Sequence, residues 1–367
     1  MKGNILVLTN NLFGLHSFRK EVMKAIVDKG YDLYISAPCD NDTVTFFEEI
    51  GSHIIKTDFN RRGMNPIADL KLLLTYLKMV KKLRPVSVLT YTIKPNVYGG
   101  MAARLCHVPQ LANVTGLGDA VENGGWLQKL TIGLYRLGLT KAKQVFFQNE
   151  TNRAFCIKKG IAKPTSVLIP GSGVNLQHHV YQGYPEDDGK IRFLFIGRLL
   201  KDKGIEELFA AASAIKTSNP LTEFQIVGFV DINYQKQLSE LVTDGIINYL
   251  GPQADVRPFI GAVHCTIMPS YHEGMSNVNL ESAANGRPVI TTNVPGCRET
   301  VDDGVTGILV KAKDTQSLID GIVRFLTLPY EQRRQMGIEG RKKVERDFDR
   351  QIVINAYLNE LKSISNV

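Results

Sequence analysis

The chain has 367 residues, more than one hydrophobic core usually supports, so two domains are expected. With 44% hydrophobic and 22% charged residues it has an ordinary globular composition, and no apolar run approaches the roughly 18–20 residues of a membrane-spanning helix. Five cysteines, odd in number and without a C-x-x-C pair, argue against a disulfide framework or structural zinc and for buried thiols in a reducing cytosol. The net charge of +8 is uneven. Residues 1–171 carry 23 Lys and Arg against 12 Asp and Glu, whereas residues 172–367 carry 21 against 24. A basic half of this kind suits nucleic acid or anionic lipid, and without a nucleic-acid motif the reading falls to lipid headgroups or pyrophosphate.

The first half alternates strand-like and helix-like segments. The apolar stretch at 5–9 is too short for a signal peptide and reads as a first strand. A helix at 17–29 closed by Gly30, a strand at 33–37, a short helix at 43–50 and a strand at 54–57 follow. Next come a long helix at 66–83 ended by Pro85, a strand at 87–92, a helix at 96–105 and a strand at 110–114. A helix at 127–139, a strand at 145–148 and a helix at 150–159 stopped by Gly160 complete this half. Short apolar runs between helices predict a parallel sheet covered on both faces, so residues 1–171 form a doubly wound α/β domain. In the long helix, Leu70, Leu73, Leu74, Leu77 and Val80 accompany Lys71, Lys78, Lys81, Lys82 and Arg84. This spacing predicts a core-facing side carrying Leu73 and Leu77, with the lysines left to reach an anionic membrane surface.

A turn-rich stretch at 169–173 and the irregular residues 175–190 mark a hinge and linker. The pattern then restarts, with strands at 191–196, 223–227, 247–250, 263–268, 289–292 and 308–310. Helices are predicted at 204–216, 234–243, 256–262, 277–284, 315–326 and 330–346. This is a second doubly wound domain, residues 172–350. The last helix, 351–363, is amphipathic through Ile352, Ile354, Tyr357, Leu358 and Leu361.

The most informative stretch is His272-Glu273-Gly274-Met275-Ser276-Asn277-Val278-Asn279-Leu280-Glu281. It sits between the apolar strand ending at Pro269 and a short helix closed by Asn285-Gly286. A strand, a short loop and a helix N-terminus aim the backbone amides of residues 275–278 at one point, where the helix dipole favours an anion. Glu273 lies in the loop and Glu281 about one turn inside the helix, on opposite sides of that point. A ligand with a diphosphate centre and hydroxyl-rich ends fits such a site, and nucleotide sugars are of that kind. Acidic residues near a helix start are also stabilising in their own right. In the other loop of interest, Gly197-Arg198-Leu199-Leu200-Lys201-Asp202-Lys203-Gly204 follows a strand at its carboxyl end, where ligands of doubly wound sheets bind. Arg198 and Lys203 suit phosphate binding; the alternative is a charged turn with Asp202 as helix N-cap.

Together with Glu281-Ser282-Ala283-Ala284-Asn285-Gly286-Arg287-Pro288 and Gly296-Cys297-Arg298-Glu299, these segments resemble the retaining glycosyltransferases of family 4. That family has the two-domain GT-B fold, two Rossmann-like domains facing across a cleft, and shares an E-x7-E motif and a G-R-x4-K-G element. The resemblance implies that Glu273 contacts hydroxyls of the donor sugar and Glu281 holds the nucleotide ribose. It implies that Arg198 and Lys203 neutralise the diphosphate of a UDP-sugar, with Gly274, Met275, Ser276, Asn277 and Val278 lining the donor site. It further implies transfer with retention, without metal or cofactor, by a front-face reaction under interdomain closure, and a final helix (351–367) crossing back onto the first domain.

In the N-terminal half, relatives often place two or more glycines in the first strand-to-helix loop so that backbone can approach the donor; here Asn10-Asn11-Leu12-Phe13-Gly14-Leu15-His16 has only Gly14. His16 reads either as a contact to acceptor or phosphate or as a helix-start histidine without a role. Thr92-Ile93-Lys94-Pro95-Asn96 and Asn113-Val114-Thr115-Gly116-Leu117-Gly118-Asp119 resemble elements of bacterial family members that extend polyprenyl-diphosphate-linked sugars. Lys94, Asn113 and Asp119 are therefore acceptor-binding candidates, and a polyprenyl-diphosphate-linked saccharide is the implied acceptor. The second loop lacks the histidine many relatives carry. Such an enzyme would work in the cytoplasm, peripherally on the inner face of the membrane. Alternatives are a transferase acting on a soluble acceptor, a UDP-sugar 2-epimerase, and a non-catalytic nucleotide-sugar sensor. A dehydrogenase is disfavoured by the absence of G-x-G-x-x-G.

Overall fold

The computed structural model describes residues 2–38, 41–58, 65–117 and 125–365, and the chain separates into two compact units. One comprises 1–172 together with 351–367, the other 173–350.

In the first unit seven parallel strands lie in the order β3-β2-β1-β4-β5-β6-β7. They are β1 (Asn4–Leu8), β2 (Asp32–Ala37), β3 (His53–Lys56), β4 (Ser87–Tyr91), β5 (Gln110–Val114), β6 (Gln144–Phe147) and β7 (Val167–Leu168). The helices are α1 (Leu12–Asp28), α2 (Asn41–Glu49), α3 (Pro66–Leu83), α4 (Gly100–Leu105), α5 (Gly125–Leu139) and α6 (Glu150–Lys158). Central strands are apolar on both faces because helices cover both: Ile5, Leu6, Val7 and Leu8 are all fully buried.

Several boundaries differ from the sequence expectation. Helix α1 begins at Leu12 rather than 17, because Asn11 caps it by accepting the Gly14 amide at 3.1 Å. Leu12, Leu15, Val22, Met23 and Ile26 then form its buried stripe. Residues Pro95–Gly99 form one wide π turn before α4, held by Asn96, whose side-chain amide donates to the Asn113 carbonyl at 2.8 Å. The two-residue β7 was absent from the sequence reading. On α3 the buried stripe is Asp69, Leu72, Tyr76 and Val80. Leu73 and Leu77 are only half-buried, a correction of one residue in helix register.

The last helix, α13 (Arg350–Ser365), packs into the first unit's core through Val353, Tyr357 and Leu361, which recur every fourth residue. Ile354 and Leu358 pack at its edge, whereas Ile352 faces solvent. The Tyr357 ring lies 4.6 Å from that of Phe146, and its hydroxyl accepts from Asn113 Nδ2 at 2.6 Å. Tyr357→Phe leaves that buried donor unpaired, and we expect a loss of about 1–3 kcal/mol in denaturant unfolding. An unchanged midpoint would show that the bond contributes nothing net.

The second unit has six parallel strands in the order β10-β9-β8-β11-β12-β13. They are β8 (Ile191–Ile196), β9 (Thr222–Val227), β10 (Ile247–Tyr249), β11 (Cys265–Met268), β12 (Val289–Thr292) and β13 (Gly307–Val310). Its helices are α7 (Ile205–Ser218), α8 (Gln235–Thr243), α9 (Arg257–Gly261), α10 (Asn277–Ala284), α11 (Thr315–Thr327) and α12 (Tyr330–Asp347). The core is built on Phe193, Phe195, Phe209, Ile267, Ile290 and Phe325. Strand order reverses between β8 and β11, and in such sheets the crevice beyond the carboxyl ends at the reversal is where ligands bind.

Candidate active site

Both segments singled out in the second half emerge at that reversal. Beyond β8 the chain runs through Arg198 to a single 3-10 turn, Lys201–Lys203, and enters α7 at Gly204. Gly204 has φ 71°, and a Cβ there would lie 2.1 Å from the Pro269 carbonyl oxygen. Only glycine fits, so the turn presses directly against the end of β11. Two hydrogen-bonded links then join the loops. The Tyr271 amide donates to the Asp202 carbonyl at 2.9 Å, and the Tyr271 hydroxyl donates to the Glu207 carboxylate at 2.7 Å. Asp202 is therefore not a helix cap; α7 starts at Ile205, and its N-cap, Gly204, has no side chain to cap it.

This stitching brings Lys203 to Glu273, seventy residues apart in sequence. Lys203 Nζ lies 2.6 Å from Glu273 Oε1, and both side chains are less than one-fifth exposed. Ser270, itself fully buried, donates its hydroxyl to the same oxygen at 2.9 Å. Glu273 is thus held in place by a cation and a hydroxyl. Arg198 is exposed, and its guanidinium has no hydrogen-bond or carboxylate partner among the described residues. Of the two cations, only Lys203 is paired with a carboxylate among the described residues.

Helix α10 begins as the sequence predicts. Ser276 is its N-cap, accepting from the Asn279 amide at 3.4 Å. The Ser276 amide is spent on the Gly296 carbonyl at 2.7 Å, a correction to the set of free amides. Asn277 and Val278, the first two residues of the helix, keep amides that a helix leaves without an internal acceptor. Gly296 has φ 83°, and a Cβ there would lie 2.3 Å from the Glu273 carbonyl oxygen, so the loop after β12 closes tightly over the turn. Glu299 accepts the Gly296 amide at 2.7 Å. Gly274 and Met275 complete the turn; Met275 is buried against Val174, Leu280 and Phe348.

Glu281 is partly buried on α10, and burial pushes its carboxyl up to about 7, with the Arg350 charge opposing the shift. Cys297, fully buried, is pushed up to about 12 by burial and then by the Glu273 charge, so its thiol is inert. The unit therefore gathers Glu273, Lys203 and Arg198 with the N-terminus of α10 at one strand-end crevice, and Glu281 stands about one turn further along α10. It suits a phosphorylated, hydroxyl-bearing ligand.

The candidates from the first half occupy different settings. The Gly14 amide is engaged by the α1 cap, and Gly14 sits in the first turn of that helix rather than in an open loop. The His16 ring packs edge-on to Phe46 and Phe47, with centroids 4.9 and 6.1 Å away, and burial lowers its pKa. Lys94 pairs with Asp69 of α3 at 2.8 Å, with both side chains nearly buried, so its charge is already spoken for. Asn113 is 1% exposed and bonds Tyr357 and Asn96, which makes it a structural tie. Asp119 lies outside the described residues. Sequence reasoning missed the roles of Ser270, the Tyr271–Glu207 bond and Asp69, although each lies in or beside a segment it considered, because the partners that define those roles are distant in sequence.

Comparison with known proteins adds the family. The model described as glycosyl transferase 4-like matches residues 5–149, and glycosyl transferases group 1 matches residues 181–343. A Campylobacter jejuni N,N'-diacetylbacillosaminyl-diphospho-undecaprenol alpha-1,3-N-acetylgalactosaminyltransferase is 27% identical over 84% of this chain and 85% of its own. An Escherichia coli UDP-Gal:alpha-D-GlcNAc-diphosphoundecaprenol alpha-1,3-galactosyltransferase is 27% identical over 72% of each. Among solved structures, Anabaena Alr3699/HepE in complex with UDP and glucose superposes with a TM-score of 0.78 at 18% identity, covering 98% of this chain and 99% of that one. Sucrose-phosphate synthase from Thermosynechococcus elongatus gives 0.77 at 20% identity over 98% of both. At these identities the structural likeness establishes the fold.

Proposed function

This chain belongs to the GT-B glycosyltransferases, carrying a glycosyl transferase 4-like half and a group 1 half, and from that premise we propose that it moves a sugar from a UDP-sugar to a polyprenyl-diphosphate-linked saccharide. The observation that carries the donor side is the Lys203–Glu273 pair, set beside Arg198 and the first amides of α10 at the strand reversal. The acceptor class is supported by the printed activities of the Campylobacter and Escherichia relatives, both of which act on diphospho-undecaprenol-linked sugars.

In this reading UDP lies with its diphosphate against the Asn277 and Val278 amides. Arg198 supplies a planar pair of donors and Lys203 a point charge, so negative charge developing on the departing UDP meets fixed donors. Glu273 accepts from hydroxyls of the transferred sugar, and Glu281 from those of the ribose. The step forms the bond between the acceptor oxygen and the anomeric carbon as the bond from that carbon to the UDP oxygen breaks. The acceptor proton passes to the leaving phosphate on the same face, which retains configuration and needs no metal. The basic first unit would hold the enzyme on an anionic membrane where its lipid-linked acceptor resides.

The test is incubation with a panel of UDP-sugars and either a polyprenyl-diphosphate monosaccharide or the free sugar, read by mass spectrometry and by the anomeric NMR coupling of the product. One added sugar on the lipid-linked acceptor, in the donor's anomeric configuration, is the expected result. Transfer only to the soluble sugar would contradict the acceptor, and inversion would contradict the mechanism. An altered UDP-sugar without transfer would favour an epimerase.

A further inference from the structure

A cavity of about 700 Å³ opens at the amino ends of β1 and β2 in the first unit. Doubly wound domains bind their principal ligands at the carboxyl ends of their strands, so this cavity belongs to a different part of the fold. Two local features shape it. Helix α1 stops at Gly30, whose φ of 84° turns the chain, and the Tyr31 amide reaches back to the Ile26 carbonyl. Strand alternation then sends Tyr31, Leu33 and Ile35 into the core beneath α13. Along α13, Asn355, Leu358, Asn359 and Lys362 recur at three- and four-residue spacing and form the facing wall. Tyr31 is 5% exposed, and its hydroxyl lies 2.8 Å from Ser365 Oγ, which fixes the floor.

Three lysines line the cavity: Lys2 before β1, Lys29 at the end of α1 and Lys362 in the last turn of α13. Lys2 Nζ stands 5.8 Å from the centroid of the Tyr31 ring. None of the three has a carboxylate partner among the described residues. Asp28 is engaged by Lys24 at 2.9 Å, and Asp32 lies on the other face of its strand from Tyr31. Glu360 falls outside the spacing of the α13 wall. Asn355 Oδ1 accepts from Gln351 Nε2 at 2.9 Å, which leaves its amide nitrogen as the donor end. Helix capping explains only part of this charge. The carboxyl ends of α1 and α13 each carry about half a negative charge, which one lysine per end would offset. Three ammonium groups leave a surplus of about +2, the charge that complements a phosphate monoester dianion. No lining residue is an exposed large apolar side chain, so the rim offers nothing to a bilayer interior.

We infer that this cavity binds a small soluble phosphate monoester, its phosphate held by Lys2, Lys29 and Lys362 and its organic body against Tyr31 and Leu358. The volume lies within the range of small-molecule sites. An occupant bridges α13 to the start of β1 and the end of α1, and so fastens the last helix to the first unit. The site does not rest on the donor crevice proposed above.

Calorimetric titration of the full chain with ribose 5-phosphate, in saturating UDP to fill the donor crevice, tests this. One ester per chain is expected, and ribose without phosphate should give no binding. Lys2→Gln, Lys29→Gln and Lys362→Gln combined, all at exposed positions, should weaken the ester about tenfold or more. Each exposed ion contact is worth a factor of about two to five, and three such factors multiply. Asn359→Asp, an isosteric change that sets a carboxylate among the lysines, should weaken it comparably. UDP affinity and helical content should stay unchanged in both variants. If UDP itself fails to bind, the titration without it still decides, because the lysine variants mark this cavity alone. Absence of binding at 10 mM ester (about the top of the metabolite range), or equal affinity in wild type and both variants, would overturn the inference. Binding to phosphatidic acid vesicles but not to the soluble ester would give the cavity to a lipid headgroup and also overturn it.

Discussion

Arg198→Ala lowers kcat by about 10²-fold or more, and Lys203→Ala lowers it at least as far. A single donor aimed at charge developing on a leaving group is worth roughly 3 kcal/mol in a closed site. The two variants should differ in their second effect. Arg198 is exposed and unpartnered among the described residues, so its removal leaves stability unchanged. Lys203 neutralises Glu273 in a site where both side chains are less than one-fifth exposed. Its loss strands the carboxylate and costs about 1–3 kcal/mol of stability besides the lost turnover. Steady-state kinetics together with urea unfolding separates the two. Near-wild-type turnover in Arg198→Ala would remove that residue from the diphosphate site.

The two glutamates should separate in a second way. Glu273→Gln spares UDP affinity to within about twofold and lowers kcat by about 10²-fold, because its contacts are to the sugar in transfer. Glu281→Gln weakens UDP and UDP-sugar alike, by about tenfold, as expected for a contact to ribose shared by both. Glu281 adds a pH signature, since its carboxyl is pushed up to about 7 from an ordinary 4.5. Below pH 7 the protonated group accepts more weakly, so wild-type affinity for UDP falls as pH drops from 8 to 6, beyond the fall due to UDP's own titration. Glu281→Gln removes that extra component.

Stability moves the opposite way. A carboxyl whose folded pKa is raised contributes stability below its unfolded pKa and loses it as pH rises through 7. Glu281→Gln should therefore stabilise the unliganded protein at pH 8, by about 2–3 kcal/mol at most, and leave it unchanged near pH 4. Calorimetric titration with UDP and thermal unfolding across pH decide both points. Equal loss of UDP affinity in the two variants would mean that the roles are misassigned.

What was legible in the sequence was local. The α10 boundaries, 277–284, were read from the strand and short loop before the helix and from Asn285-Gly286 after it, and they match the structure residue for residue. The start of α1 was misjudged because Asn11, its cap, was read as part of a phosphate loop with Gly14. On α3, Leu73 and Leu77 are spaced as well for burial as Leu72 and Tyr76. The register is decided by Asp69, which is buried by pairing with Lys94 twenty-five residues away. Long-range polar ties of that sort leave no local trace. The same holds for Asn113 and Tyr357, separated by 244 residues, which turn an acceptor candidate into an anchor for the last helix. Lys203 and Glu273 were each legible as motif members. Their contact required the β8–β11 adjacency and the bare Gly204 beneath Pro269.

The central claim is that the crevice at the β8–β11 reversal holds the donor, and a crystal structure of the full chain with UDP tests it most directly. The diphosphate should lie within hydrogen-bonding distance of the Asn277 and Val278 amides, with Arg198 and Lys203 turned onto its oxygens and the ribose hydroxyls on Glu281. UDP bound elsewhere, or with its ribose away from Glu281 and its phosphates away from α10, would contradict the account.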